Sequence, residues 1–356
     1  MITTFEYKEN NYDVVFFIEL IIKKLKNYKV NTFNLGVSYP NSIDEDQKLI
    51  LKKDFQFPLT KKLEEKLNAK RRDEFGDVDI VIDYNYHKIT YHIHPIFLYG
   101  TYNKYSRDLP QTKHYCFKCK GRGCINCNHT GRLSPTSVEE KLQEVIFKEL
   151  NIKEIAFHGA GREDKDVLML GNGREFIVEL KEPFKREVEK EKLKVLEEII
   201  NKDKDIKVSN LRLAEVSEVK KIKETNHFKL YKATVVCEGK ITKERLSKIK
   251  LNKEIQILQK TPTRVKKRRA NLIRERLCEI LNIEPLTENS FSIEIKAEAG
   301  LYIKEFISGD KNLTKPNISE IIGTSCGCEK LDVIWIYREW EYERNSRKNK
   351  SILWKK

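Results

Sequence analysis

The sequence predicts an α+β protein built on a mixed, largely antiparallel sheet, with a smaller α/β unit ahead of it. Three observations carry that expectation. Short alternating apolar runs joined by tight polar turns recur along the chain, as in hairpins. Amphipathic helical stripes fall among them without strict strand–helix alternation, which favours α+β over an all-parallel sheet. A cluster of four cysteines between residues 116 and 127 divides 356 residues, enough for two cores, into an N-terminal third and a longer remainder.

The elements follow in order. Val30, Phe33, Leu35, Val37 and Tyr39 read as a strand, and residues 59–72 as a charged helix that follows Pro58. Residues 79–82 and 89–93 flank a polar turn and form a hairpin. The segment runs on through Pro95 to Lys104 and Arg107, so the first unit is expected to span residues 1–110. His92 and His94 share one strand face, which reads as a half-buried polar face more readily than as a metal site. After the cysteines (expected unit 111–133), residues 134–136 (Ser-Pro-Thr) read as a linker. Ser137-Val138-Glu139-Glu140 reads as a capping box opening a helix with the stripe Val138, Leu142, Val145, Ile146 and Leu150. A second domain, 134–356, starts there. Residues 167–170 and 176–180 flank Gly171-Asn172-Gly173, where Asn-Gly predicts a tight type I′ hairpin. A helix over 188–202 and strands near 211–216, 228–237 and 291–295 complete the sheet.

Lys and Arg outnumber Asp and Glu by 69 to 54, a net charge of +15, and the isoelectric point near 9.2 calls for a polyanionic partner. A membrane is excluded as that partner in a spanning sense, because runs such as Val14 to Ile18 are cut by Glu19 well short of the roughly 20 residues a span needs. Glu6, Lys8, Glu9 and Asp13 stand where the apolar core of a signal peptide would lie, so a cytoplasmic protein is expected. The phosphate loop Gly-x-x-x-x-Gly-Lys, the dinucleotide loop Gly-x-Gly-x-x-Gly, the Gly-x-Ser-x-Gly elbow and His-Glu-x-x-His are all missing, and nucleotide-dependent modifiers such as methyltransferases go with them.

Four constellations remain. Cys116-x2-Cys119-x4-Cys124-x2-Cys127 sets two thiolate pairs around one point, a closed tetrahedral site suited to structural zinc and without the open position catalysis needs. Gly161-Arg162-Glu163-Asp164 places an acid beside a base on a glycine-loosened loop, where a carboxylate can be held ionised and aimed into a cleft. Between Gln259 and Arg276, eight basic residues, among them Arg264, Arg268 and Arg269, face the single acid Glu275; this is a solvated helix face or a phosphate-contacting run, and the sign imbalance favours phosphate. Tyr302 and Lys304 would share one side of a continuing strand, and Tyr231 lies on another strand as a core or edge aromatic.

Together these passages resemble the tRNA pseudouridine synthases of archaea and eukaryotes that modify the TΨC arm. The likeness runs over roughly residues 95–335, through the cysteine cluster, residues 159–167, Thr261-Pro262-Thr263-Arg264-Val265 with Arg268-Arg269, and residues 300–306. It implies a pseudouridine synthase catalytic fold after about residue 135, preceded by a THUMP-type RNA-binding accessory domain with a zinc knuckle. It also implies Asp164 as catalytic nucleophile, Lys304 as its basic partner, Tyr231 as the ring that stacks on the target uracil and Tyr302 in the same pocket. Arg162, Arg264, Arg268 and Arg269 would complete the substrate contacts. The expected partner is tRNA, with uridines 54 and 55 as targets; structural zinc is the expected metal, with no organic cofactor and no obligate protein partner. The competing reading is a non-catalytic zinc-finger tRNA-binding protein or RNA chaperone, which would tolerate loss of Asp164.

Overall fold

The computed structural model describes residues 10–74, 76–266 and 269–338. The first unit runs α1 (Asn10–Leu25), β1 (Thr32–Ser38), α2 (Glu45–Leu51), α3 (Phe57–Leu67), β2 (Lys70–Arg71), β3 (Val78–Asp83) and β4 (Lys88–Ile93), with a short π-helix, Lys52–Gln56, between α2 and α3. Val14, Phe17, Ile21 and Leu25 recur at helical spacing on α1 and meet Leu59 and Leu63 of α3 above the apolar face of β1 and β3. Each side chain buried this way contributes about 1.5–3 kcal/mol against about 0–1 kcal/mol for a surface ion pair, so packing rather than charge holds the unit. β1 lies between β2 and β3 and is parallel to both, while β4 pairs antiparallel with β3. The helix expected over 59–72 ends at Leu67. Asn68 turns into the left-handed region (φ 49°) and caps it, and Lys70–Arg71 becomes an edge strand.

From Ile96 the chain builds a second sheet. In order come β5 (Ile96–Lys104), α4 (Val138–Leu150), β6 (Glu154–Gly159), β7 (Leu168–Lys181), α5 (Lys190–Ile200), β8 (Ile206–Ala214), α6 (Val216–Glu224) and β9 (Lys229–Cys237). They are followed by α7 (Lys243–Ser247), β10 (Glu254–Lys260), β11 (Ile273–Thr287), β12 (Ser290–Ala297), α8 (Ile303–Ser308), β13 (Thr314–Lys315), α9 (Ile318–Ile322) and β14 (Cys326–Ile336). The strands lie in the order β13-β10-β11-β12-β9-β14-β7-β5-β8, with β6 also on β7. Every pairing is antiparallel except β14 with β7, which is parallel over Asp332↔Leu168 and Val333↔Met169. The expected α+β class and mixed sheet are therefore what the chain adopts.

Two expectations change. The run after the first hairpin, read as part of the first unit, belongs to the second sheet: β5 lies between β7 and β8, with Ile96, Leu98 and Tyr102 buried in the larger core. Gly171-Asn172-Gly173 is not a hairpin turn, because β7 runs unbroken through it. The Asn172 amide exchanges hydrogen bonds with the backbone of Ile336 (2.7 and 3.0 Å), and a Cβ on Gly171 would come within 2.0 Å of the Ile334 carbonyl. These glycines serve close approach of backbones with positive φ, which the dipeptide alone does not distinguish from a I′ turn. Arg186 joins the two units, with Nε 2.8 Å from Asp77 and Nη1 donating to the His94 carbonyl at 2.6 Å.

Candidate active site

The loop between β6 and β7 carries Asp164, and two tiers of polar side chains fix it. The lower tier is buried. Glu163 and Arg174 form an ion pair at 2.9 Å, with side chains 1% and 2% exposed, although that Arg174 Nε lacks the alignment of a hydrogen bond. Arg174 Nη1 donates to the Ala160 carbonyl (2.8 Å), and the Tyr102 hydroxyl lies 2.9 Å from both Glu163 oxygens. Gln111 donates from one amide nitrogen to the Tyr102 oxygen and to the Gly161 carbonyl, both at 2.9 Å. Lys104, fully buried, donates to the carbonyls of Leu109 (2.8 Å), Asp164 (3.3 Å) and Lys165 (2.7 Å). Burial brings its ammonium down to about 8, so it is still mostly charged at neutral pH and is held by carbonyl dipoles.

The upper tier faces solvent. Asp164, its side chain 40% exposed, has Oδ2 2.8 Å from Arg264 Nη1 and 3.7 Å from Lys304 Nζ. Lys304 also meets Asp166 at 2.6 Å, and Arg264 meets buried Glu305 at 2.5 Å. Glu305 and Asp164 together push the Arg264 guanidinium further up, despite its burial. Tyr231 on β9 and Tyr302, the residue before α8, line the same cleft of about 280 Å³. Burial pushes the Tyr231 phenol up to about 12, so it stays neutral. Tyr302 is held at its backbone by buried Gln259, which accepts from its N–H (2.8 Å) and donates to its carbonyl (3.1 Å).

The structure thus gathers Asp164, Lys304, Tyr231, Tyr302, Arg162, Arg264 and Arg269 around one cleft. Arg268 lies outside the described residues. Three sequence expectations shift. Lys304 stands on a helix rather than a continued strand, and reaches the cleft from its first turn. The basic run is two strands joined by a loop, not a helix face. Arg162 is exposed and forms no ion pair with Asp164 among the described residues; Arg264 takes that place. Glu163, Arg174, Tyr102, Gln111 and Lys104 went unrecognised in the sequence because their partners lie up to 61 residues away.

The four cysteines converge as their spacing demands, with all Sγ atoms within 4.8 Å of one another. Cys116–Cys124 and Cys119–Cys127 stand 3.8 Å apart and Cys124–Cys127 3.7 Å, close to the edge of a tetrahedron with metal–sulfur bonds of about 2.3 Å. The N–H groups of Gly123 and Gly131 donate to sulfur at 3.2 Å. This cluster could hold a metal ion. Its stem is tied to the active loop, since Gln111 precedes it and bonds Gly161. Ser137 caps α4 through the Glu140 N–H (3.3 Å), while the Glu140 carboxylate meets Arg132 instead of closing a reciprocal capping box.

Among the described residues, no helix is long and apolar enough to cross a membrane. A family profile described as "Pus10, C-terminal" matches residues 97–337. The tRNA pseudouridine synthase Pus10 of Archaeoglobus fulgidus is 37% identical over 89% of this chain and 90% of its own length. Its namesakes from Methanocaldococcus jannaschii and Pyrococcus furiosus are 39% and 35% identical, over 89% and 93% of this chain and 71% and 83% of theirs. A chain of a solved Cbf5–Nop10–Gar1 complex aligns with 56% of this chain and 44% of its own length at 17% identity and a TM-score of 0.32, and adds nothing to the assignment. On the family match and the relatives, this chain belongs to the Pus10 family.

Proposed function

We propose that this chain isomerises uridine to pseudouridine at position 54, 55 or both in the T-loop of tRNA, with Asp164 as nucleophile and the target base turned out of its stack. Family membership makes the protein an RNA pseudouridine synthase. The observation that supports the finer reading is the contrast between Asp164 and its buried neighbour: a half-exposed carboxylate beside two cations, with Tyr231 lining the same cleft.

A uridine within a folded loop is reached only by extrusion, and an aromatic face replaces part of the stacking it loses. Tyr231, neutral and carried on a strand paired on both sides, suits that role. The N1–C1′ bond then breaks with its electron pair on uracil, the base turns, C5 bonds to C1′, the bond Asp164 has formed breaks to return the free carboxylate, and the C5 proton leaves as N1 regains one. All atoms are conserved, so the reaction balance needs no redox group. Arg264 and Lys304 keep Asp164 ionised for attack at C1′ or at the base. The rim residues Arg162 and Arg269 are exposed and suit phosphate contacts.

The N-terminal unit supports an accessory RNA-binding role of the THUMP type, and the cysteine cluster supports structural zinc, whose thiolate ligands would be Cys116, Cys119, Cys124 and Cys127. The test is incubation with unmodified tRNA and no added cofactor, with new pseudouridines mapped by carbodiimide labelling and primer extension. Stops at 54 or 55, lost on replacing those uridines by cytidine, are expected; modification elsewhere only would refute the T-loop assignment.

A further inference from the structure

We infer that Lys229 is a further catalytic residue of this cleft, whose ammonium donates a hydrogen bond to a carbonyl oxygen of the uracil as the base detaches and carries negative charge. The inference rests on the proposed role of the cleft as the uridine site. Its geometry is independent of Asp164.

Lys229 and Tyr231 are two apart on β9, so both side chains leave the same face of the strand, and both line the cleft. The lysine Nζ stands 3.6 Å from the place a Cβ would occupy on Gly161. That glycine has φ 82°, and its bare Cα leaves room for both the lysine and Arg174. The other cations of the cleft fall into two groups. Arg174, Arg264 and Lys304 each have a carboxylate partner. Arg162, Lys223 and Arg269 lie exposed at the rim, where water solvates them. Lys229 belongs to neither group: it is partly buried and lines the cleft, yet among the described residues its Nζ makes no hydrogen bond or ion pair. An ammonium that is partly desolvated and has no protein acceptor costs free energy, and the arrangement is explained if the acceptor arrives with the substrate.

The charged groups that face Lys229 come from two places. Arg174 approaches from β7 and Glu163 from the loop beneath, with Asp164 in the upper tier of the same loop. Its strand partners, Ala297 on β12 and Ile336 on β14, carry no charge. On its own strand Tyr231 is neutral, and nearby His227 is engaged by Glu175 at 3.3 Å. Burial, then the like charge of Arg174, outweigh the pull of Glu163 and bring the ammonium down to about 7. At neutral pH the free enzyme is therefore close to the point where this proton is lost.

Whichever atom Asp164 attacks, scission of N1–C1′ leaves an electron pair on the base, spread over N1 and the two carbonyl oxygens. A donor aimed where that charge develops stabilises the transition state more than the ground state. The lysine gives up no proton in the balance; it holds the anion until C5 has bonded to C1′. Because the charged form is required, kcat/KM falls as pH rises through about 7, about tenfold per unit once the lysine is neutral.

The experiment measures tritium release from tRNA carrying 5-tritiated uridine, under single-turnover conditions from pH 5.5 to 9, for wild type, Lys229→Met, Lys229→Arg and Asp164→Ala, with tRNA affinity and melting temperature alongside. Lys229→Met is expected to lose about 100-fold or more in rate at neutral pH with tRNA affinity within about threefold of wild type. Lys229→Arg is expected to keep measurable activity and to lose the fall above neutral pH, since its guanidinium does not deprotonate there. Overturning results are Lys229→Met at wild-type rate, or Lys229→Arg with the wild-type alkaline limb, the latter deciding the matter even if Lys229→Met misfolds. Activity in Asp164→Ala would instead refute the nucleophile assignment and leave Lys229 to be judged by its own pH profile.

Discussion

Glu163 and Asp164 are adjacent acids, each paired with an arginine, and they occupy opposite sides of the same loop. Glu163 is sealed against Arg174 with almost no exposed surface, while Asp164 stands 40% exposed against Arg264. Removing water from two opposite charges makes their separation expensive, so the buried pair fixes the loop but is closed to any substrate. The outer pair is held more weakly, shares its partner with Glu305, and leaves carboxylate surface for a reacting atom. Position in the fold thus turns neighbouring residues of like chemistry into a foundation and, in the proposed reaction, a reagent.

The comparison makes predictions that can be broken. The largest effect is expected from Asp164→Ala, which should lower pseudouridine formation by at least about 10⁴-fold with tRNA binding and melting temperature preserved, as judged by single-turnover assay and filter binding. Glu163→Gln should do the reverse, destabilising the fold by about 3–5 kcal/mol in denaturant unfolding because it strands the Arg174 charge. Lys104→Met leaves three loop carbonyls without their donor and should destabilise by about 1–3 kcal/mol, with a fall in kcat at temperatures where the protein stays folded. Cys119→Ser should abolish binding of one zinc per chain, measured by elemental analysis, and lower the melting temperature of the whole catalytic unit through Gln111. Arg269→Ala should have the smallest effect, weakening tRNA binding a few-fold and reducing its salt dependence by about one phosphate contact. Equal loss of activity and stability in Asp164→Ala and Glu163→Gln would dissolve the distinction between the tiers.

Much of this was legible in the sequence, and the failures have physical causes. The helix over Val138–Leu150 was readable because one stripe and one serine cap specify it locally. The cysteine cluster could be anticipated from its spacing, and the convergence of Asp164, Tyr231, Tyr302 and Lys304 only from the family resemblance of the passages that carry them. What stayed hidden depends on partners far along the chain. β5 reads as the tail of a hairpin until β7 and β8 are seen on either side of it. Gly171 and Gly173 read as a turn because their need for positive φ is the same in a turn and against a crowding backbone. Arg174 and Lys104 look like ordinary surface charges, and only the fold reveals that carboxylate and carbonyls surround them. Lys229 did not stand out in the sequence, because only the fold places it beside Tyr231 in the cleft and shows that its Nζ has no partner among the described residues.

The central claim is that the outer carboxylate, not the inner one, reacts with uridine. The most direct measurement sets Asp164→Asn, which keeps the shape and removes the charge, beside wild type on tRNA transcripts, reading bound tRNA and pseudouridine in the same samples. Full binding with no pseudouridine is the predicted result. Pseudouridine accumulating at the wild-type rate in the Asp164→Asn samples would contradict it.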